Sequence, residues 1–221
     1  MIRLPHRIVH LVVGELQTNC FVLLPEAKDP AVVVDPGGDG RLIAHELLRR
    51  NLRLGAVVLT HGHIDHLFGL PELLEAMGPA PILLHGDDRP LWEAMGLQAE
   101  FLGVQVPSLP NEIQEITGGQ VIDEAGWSLK TMHTPGHSPG SVAFLLRGHG
   151  AVLSGDTVFH EGVGRTDLWG GSWDHLVESL RSMFALSPET VLLPGHGEFT
   201  TVGEAKRWAS HSGIMTVGSA W

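Results

Sequence analysis

A single cysteine, Cys20, stands among the 221 residues, so no internal disulfide can form and nothing calls for an oxidising compartment. A reducing cytoplasm is the expected home. Basic residues are scarce: 14 Lys and Arg face 25 Asp and Glu, for a formal net charge of -11. That deficit argues against nucleic acid as a partner, because phosphate binding draws its affinity from clustered cations. Long apolar runs are missing too. The stretch from Met1 to Val13 is broken by Arg3, Pro5, His6, Arg7 and His10, so neither a cleaved signal nor a membrane span is expected. Tyrosine is absent altogether, and nothing in the chain announces an oligomeric state.

What is present is a hydrophobic content of 43%, enough at this length to bury one substantial core, and a single domain over residues 1–221 is expected. Short β-branched runs cut by Gly and Pro read as strands over Ile8–Val13, Cys20–Leu24, Ala31–Val34 and Leu54–Leu59. Arg41–Arg50 carries apolar residues at helical spacing between the last two. Pro71–Met77 and Arg89–Met95 read as helices around a strand at Pro81–Leu84. Residues 98–119 show no clean period and read as a surface connection that overhangs a site. The theme then repeats, with strands at Ser128–His133, Ser141–Leu146, Ala151–Ser154 and Thr190–Leu193, and helices at Trp173–Ala185 and Val202–Ala209. Two such rounds suggest an α/β chain of two sheets packed face to face with helices outside.

Histidine is abundant, at 14 residues, and its placement matters more than its number. The run His61-Gly62-His63-Ile64-Asp65-His66 puts four imidazole or carboxylate groups within six residues. Such a pattern would arise in roughly two shuffled chains in a thousand. These are the ligands that borderline first-row cations prefer. On an extended loop His61 and His63 project the same way and can grip one ion, leaving Asp65 and His66 to serve a second ion or orient a water.

His137, Asp156 and His196 are weak signals singly, since each follows a turn-forming Pro-Gly or Ser-Gly. They share a grammar, however: each comes just after a predicted strand, beside glycines that permit close backbone approach. With the first run they make seven candidate ligands, enough for two ions if a carboxylate bridges, and Asp156 is the natural bridge. His6, His10, His45, His85, His149, His175 and His211 have no such neighbours and read as structural or solvated. His133 and His160 lie close enough to His137 and Asp156 to support them from behind.

A rival motif is Gly136-His137-Ser138-Pro139-Gly140, which fits Gly-x-Ser-x-Gly, with Ser138, Asp156 and His196 in the chain order of a hydrolase triad. A nucleophile elbow needs a helix directly after its serine, whereas Pro139-Gly140 leads into a predicted strand. No His-Glu-x-x-His occurs.

Taken together, Thr60 to His66, Gly136-His137, Gly155-Asp156 and Gly195-His196 resemble the signature of the metallo-β-lactamase superfamily, over a span from about Asn19 to His196. The resemblance implies a four-layer αββα sandwich of two mixed sheets flanked by helices. Gly155 to Phe159, Gly162 to Asp167 and Leu193 to Gly197 are similar to the glyoxalase II group, notably its short bacterial members. This implies hydrolysis of S-2-hydroxyacylglutathione thioesters by a metal-bound hydroxide, with a small-molecule thioester as the partner. By position, His61, His63 and His137 would hold a first divalent ion, and Asp65, His66 and His196 a second. Asp156 would bridge. Zinc is the implied metal, with iron or manganese as the other candidates, and Asp65 and Asp156 would orient the nucleophile.

Arg165 is the basic residue expected near the substrate, unless an ion pair with Asp167 occupies it. Full-length glyoxalase II enzymes grip glutathione with tyrosines and a basic C-terminal extension; this sequence has no Tyr and ends soon after Lys206-Arg207. The same motifs also fit persulfide dioxygenases, in which one iron would be held at His61, His137 and Asp156. Lactone and ester hydrolysis are further options on the scaffold. A purely structural metal site is disfavoured, because such sites are usually closed by cysteine.

Overall fold

The structure, a computed structural model, describes residues 4–26 and 30–214. The expected 1–221 span therefore reaches beyond the described residues at both ends. The first half contains β1 (Ile8–Val13), β2 (Thr18–Leu23), β3 (Ala31–Val34), α1 (Gly40–Leu48), β4 (Leu54–Val58), α2 (Leu70–Met77), β5 (Ile82–His85), α3 (Arg89–Glu93), α4 (Met95–Leu102) and β6 (Gln114–Ile116). The second contains β7 (Val121–Glu124), β8 (Trp127–His133), β9 (Val142–Leu146), β10 (Ala151–Gly155), the short pair β11 (Val158–Phe159) and β12 (Gly162–Val163), α5 (Trp173–Phe184), β13 (Val191–Pro194), β14 (Thr200–Thr201) and α6 (Val202–His211). Strands β1 to β6 pair in chain order into one six-stranded sheet, and β14-β13-β10-β9-β8-β7 form another.

The period of two along each strand decides what packs where. In β3 and β4, Val32, Val34, Ala56 and Val58 enter a core shared with Phe144, Leu146, Leu153 and Leu193 of the other sheet, while Val33 and Val57 turn outward onto Ile43, Leu47, Leu70 and Leu73 of α1 and α2. The second sheet mirrors this: Val152 and Leu192 face Leu176, Leu180 and Ala205 of α5 and α6. Strands apolar on both faces are thus covered on both faces, giving the αββα sandwich that the sequence resemblance implies.

Strands β10 and β13 run parallel, and β9 lies antiparallel between β10 and β8, so β8, β10 and β13 all point one way. Their C-terminal ends therefore open on one edge, and a bond from Val142 N–H to the Thr60 carbonyl (2.8 Å) ties the end of the β4 strand to that edge.

The segment 98–119 differs from expectation in detail. The helix expected over Arg89–Met95 breaks at Ala94, α4 carries on to Leu102, and β6 extends the first sheet. Helix α4 escapes pattern reading because its apolar residues point both ways, with Met95 and Ala99 buried and Leu97, Phe101 and Leu102 exposed. No helix among the described residues is long and apolar enough to cross a membrane.

Candidate metal centre

Loops after β4, β8, β10 and β13 bring all seven predicted ligands together. Three overlapping groups have ligand atoms within 4.8 Å of one another: His61, His63 and His137; His61, His66 and Asp156; and Asp65, His66 and His196. Close approach at the bottom of the cleft depends on glycine. A Cβ on Gly195 would lie 2.2 Å from Asp156 Oδ1 and 2.6 Å from His66 Cε1, and Gly155 takes φ 49 against the Thr60 side chain.

Hydrogen bonds to oxygen tie Nδ1 in four of the five imidazoles, His63 being the exception. His66 Nδ1–H donates to Asp35 Oδ2 (3.0 Å), His137 Nδ1–H to the Arg165 carbonyl (2.8 Å) and His196 Nδ1–H to the Leu16 carbonyl (3.1 Å). Thr60 Oγ1 spends its proton on Asp35 Oδ2 (2.7 Å), so it accepts Nδ1–H of His61 (3.1 Å). In each case Nε2 is the nitrogen left for an ion and is turned toward the others. His63 Nδ1 lies 2.9 Å from His137 Nε2, and His66 Nε2 lies 3.3 Å from His196 Nε2. Ligands of a tetrahedral ion at ~2.1 Å sit about 3.4 Å apart, so these separations suit a shared cation. Buried His61 Nε2 and Asp156 Oδ1 have no hydrogen-bond partner, which is costly unless a cation meets them. The donor set and its orphaned atoms therefore fit divalent metal.

Without an ion the two sides of the centre differ in charge. Burial drives the His61 imidazole well below its ordinary value, aided by the neighbouring imidazoles, and burial likewise lowers His63 to about 3. Burial also opposes a charge on His66, yet Asp156, Asp35 and Asp65 hold it well above its ordinary value. Asp65 and Asp156, despite the cost of burial, are kept below the carboxylate range chiefly by His66. His196 is raised, burial again opposing, by its bond to Asp65 Oδ2 at 3.2 Å.

Several supporting residues carry no sequence signal strong enough to single them out. Fully buried Asp88 accepts Gly62 N–H (2.8 Å), Ser138 Oγ–H (2.7 Å) and Gly140 N–H (2.5 Å), pinning the His61–His66 loop to the His137 loop. Gln98 clasps the same loop, donating to the Gly62 carbonyl and accepting Ile64 N–H, each at 3.0 Å. Asp35, at φ 50, holds Thr60 and His66; its position at the end of a strand before Pro36-Gly37-Gly38 is the one hint a reader of the sequence had. His10, read as structural or solvated, has the structural role: it bonds to Asn19 Oδ1 (2.7 Å), and Asn19 donates to the carbonyls of Pro194 and Gly197 on either side of His196.

Other candidates separate from the centre. Ser138 is buried and bonded to Asp88 and Ser141, and strand β9 follows it, so the serine-hydrolase motif has no elbow. His133 stacks on His85 (4.2 Å, 14°) and its Nε2 bonds to the Pro139 carbonyl, forming a separate group with Asp87. His160 sits 3.7 Å from Glu198 at the surface. Arg165 lines the cleft, but both its Nε and Nη2 donate to Asp167 at 2.7 Å, while its carbonyl orients His137.

The seven residues lie at the base of an open cleft of ≈ 380 Å³: His63, Asp65, His137, Asp156 and His196 line its floor, His61 and His66 are buried beside them, and the walls carry Leu16, Phe101, Leu102 and Trp169. A family model described as metallo-beta-lactamase superfamily matches residues 13–196. The probable metallo-hydrolase YqgX of Bacillus subtilis is 35% identical over 193 residues, 86% of this chain and 90% of that protein. Hydroxyacylglutathione hydrolase GloC of Haemophilus influenzae is 29% identical over 199 residues, 88% and 92% of the two chains. Among solved structures, one in a di-iron-bound form is 34% identical with a TM-score of 0.80, covering 90% of this chain and 97% of that one. ETHE1 from Myxococcus xanthus is 26% identical with a TM-score of 0.71, covering 90% and 81%.

Proposed function

The chain belongs to the metallo-beta-lactamase superfamily, and from that premise we propose that it is a metal-dependent hydrolase of thioesters, with S-2-hydroxyacylglutathione compounds as the reference substrates. The observation that carries the reading is the convergence of histidine Nε2 atoms whose Nδ1–H groups are each held by an oxygen, beside two ionised carboxylates, beneath an open cleft. In this reading His61, His63 and His137 would hold one ion and Asp65, His66 and His196 a second, with Asp156 available to both. Divalent ions held there would supply a water of lowered pKa and a Lewis acid for the acyl oxygen.

The residues do the rest. Asp65, kept ionised by His66 and His196, is an acceptor that aligns the attacking water, and Asp156 does the same from below. His61 and His63 stay neutral, so their lone pairs remain free for metal rather than protons. The Asp35, Asp88 and Gln98 bonds hold the ligands without rearrangement during the reaction. A thiolate leaves with little need of an acid, since thiols ionise near pH 8.5.

The test is elemental analysis of the purified protein alongside thioester cleavage. Two ions per chain, with activity lost on chelation and restored by zinc, iron or manganese, is the expected result. One iron per chain with oxygen uptake on a persulfide would replace the reading with that of a dioxygenase, and full hydrolysis by metal-free protein would refute it.

A further inference from the structure

The walls of the cleft differ in kind from its floor. Four large apolar side chains from three separate segments stand around the mouth: Leu16 in the β1–β2 turn (52% exposed), Phe101 and Leu102 at the end of α4 (62% and 41%), and Trp169 in the loop before α5 (37%). Phe101 and Trp169 meet edge to face at 5.4 Å, closing one side. Beyond Trp169 and Gln98 the cleft adjoins a second hollow of ≈ 250 Å³ between Leu91, Ala94, Leu97 and Pro139. Converging exposed apolar residues beside a reactive centre mark the place where a ligand covers them.

Charge points the same way. Among the described residues lining the cleft, Arg165 is the one Lys or Arg, and its guanidinium is paired in two bonds with Asp167, whose carboxyl it lowers to about 2. The acidic side chains there are Asp65 and Asp156, committed to the floor, and Asp87 borders the second hollow. Glutathione carries two carboxylates several bonds from its sulfur. Bound with its acyl carbon over the floor, it would lay those carboxylates along apolar walls whose one basic side chain, Arg165, already holds Asp167, on a chain of net charge -11.

We propose that the cleft selects thioesters whose thiol half is apolar and uncharged over those of glutathione, with Phe101, Leu102 and Trp169 as the residues that set this preference. The inference rests on the thioester-hydrolase reading for its chemistry: the water oxygen bonds to the acyl carbon, the C–S electron pair leaves with sulfur, and the water protons end on the thiol and the carboxylic acid. The floor recognises the acyl group; the rim recognises what leaves.

The experiment compares lactoyl thioesters of glutathione and of benzyl mercaptan on the metal-loaded enzyme. In parallel, non-hydrolysable S-benzyl thioethers, with and without the glutathione peptide, are titrated against tryptophan fluorescence. A preference of at least about tenfold in kcat/KM for the benzyl thioester is expected, the size of effect a single apolar pocket gives. Apolar thioether binding should be tighter by a similar factor. In Phe101→Asp the ratio should fall toward one through KM, and Leu102→Asp, also at an exposed position, serves if the first variant fails to fold. Equal or better use of the glutathione thioester, with equal or tighter binding of its thioether, overturns the proposal while leaving the hydrolase reading intact. If neither thioester is cleaved, the hydrolase reading fails, and the fluorescence titration alone still decides which ligand the rim accepts.

Discussion

Floor and rim of the same cleft are built on opposite physical terms. On the floor every imidazole but His63 has one nitrogen tied to an oxygen acceptor, most side chains are buried, and the loops are cross-pinned by Asp35, Asp88 and Gln98. On the rim Leu16, Leu97, Phe101 and Leu102 are exposed side chains with no polar group to hold them. A polar site must be over-determined, because an unpaired buried polar group costs about 1–3 kcal/mol and a loose ligand loses its ion. An apolar wall needs only shape and area, which tolerate variation. Substitutions should therefore hit the floor hard and the rim selectively.

The sharpest contrast comes from Asp156→Ala. Removing the carboxylate between His66, His137 and His196 should cut hydrolysis at least about a thousandfold and lower the bound metal, as read by paired kinetics and elemental analysis. Next in size is Asp88→Ala, which touches neither metal nor substrate but releases Gly62, Ser138 and Gly140 together. Metal affinity or activity should drop about 10- to 100-fold, with a lowered melting temperature. Unchanged metal affinity in that variant would mean the two loops hold their shape without it.

Acidity divides the floor itself. His66 and His196 are raised, so metal-free protein carries protons there above the ordinary pKa of ~6.5, and an ion binding on that side must expel them. Its affinity should rise with pH, up to about tenfold per unit for each proton released, until the raised values are passed. For the metal-free fold the sign reverses: stabilisation by charged His66 is complete below ~6.5 and fades as pH climbs through its raised value. His61 and His63, pushed down by burial, stay neutral at these pH values and release no proton to an ion. Calorimetric titrations in buffers of different ionisation enthalpy count the protons. The smallest effect is expected on the rim: Leu97→Ser, at a residue 60% exposed, should shift folding stability by no more than about 0.5 kcal/mol in a denaturant melt.

Much of this architecture was open to a reader of the sequence alone. Strand and helix patterns are local, because a period of two or of 3.6 is written into neighbouring residues, and β3, β4, β9, β10 and α5 appear within a residue or two of where those patterns put them. The seven candidate ligands were equally legible, since chemically unusual groups clustered at strand ends are improbable by chance. Helix α4 was not, for its apolar residues serve both the core and the cleft mouth and so spoil any single period.

The tertiary structure decided what no local pattern encodes. Asp88 matters because it lies 26 residues from Gly62 and 50 from Ser138 in the chain, yet within hydrogen-bond reach of both. Arg165, expected near the substrate or paired with Asp167, lines the cleft with its guanidinium on Asp167 and lends His137 its carbonyl. Residue types determined that a metal-binding floor would exist; the crossing of loops from two sheets determined which oxygen faces each imidazole and which apolar side chains overlook it. Such contacts depend on where strands end in space, and spacing along the chain carries no record of that.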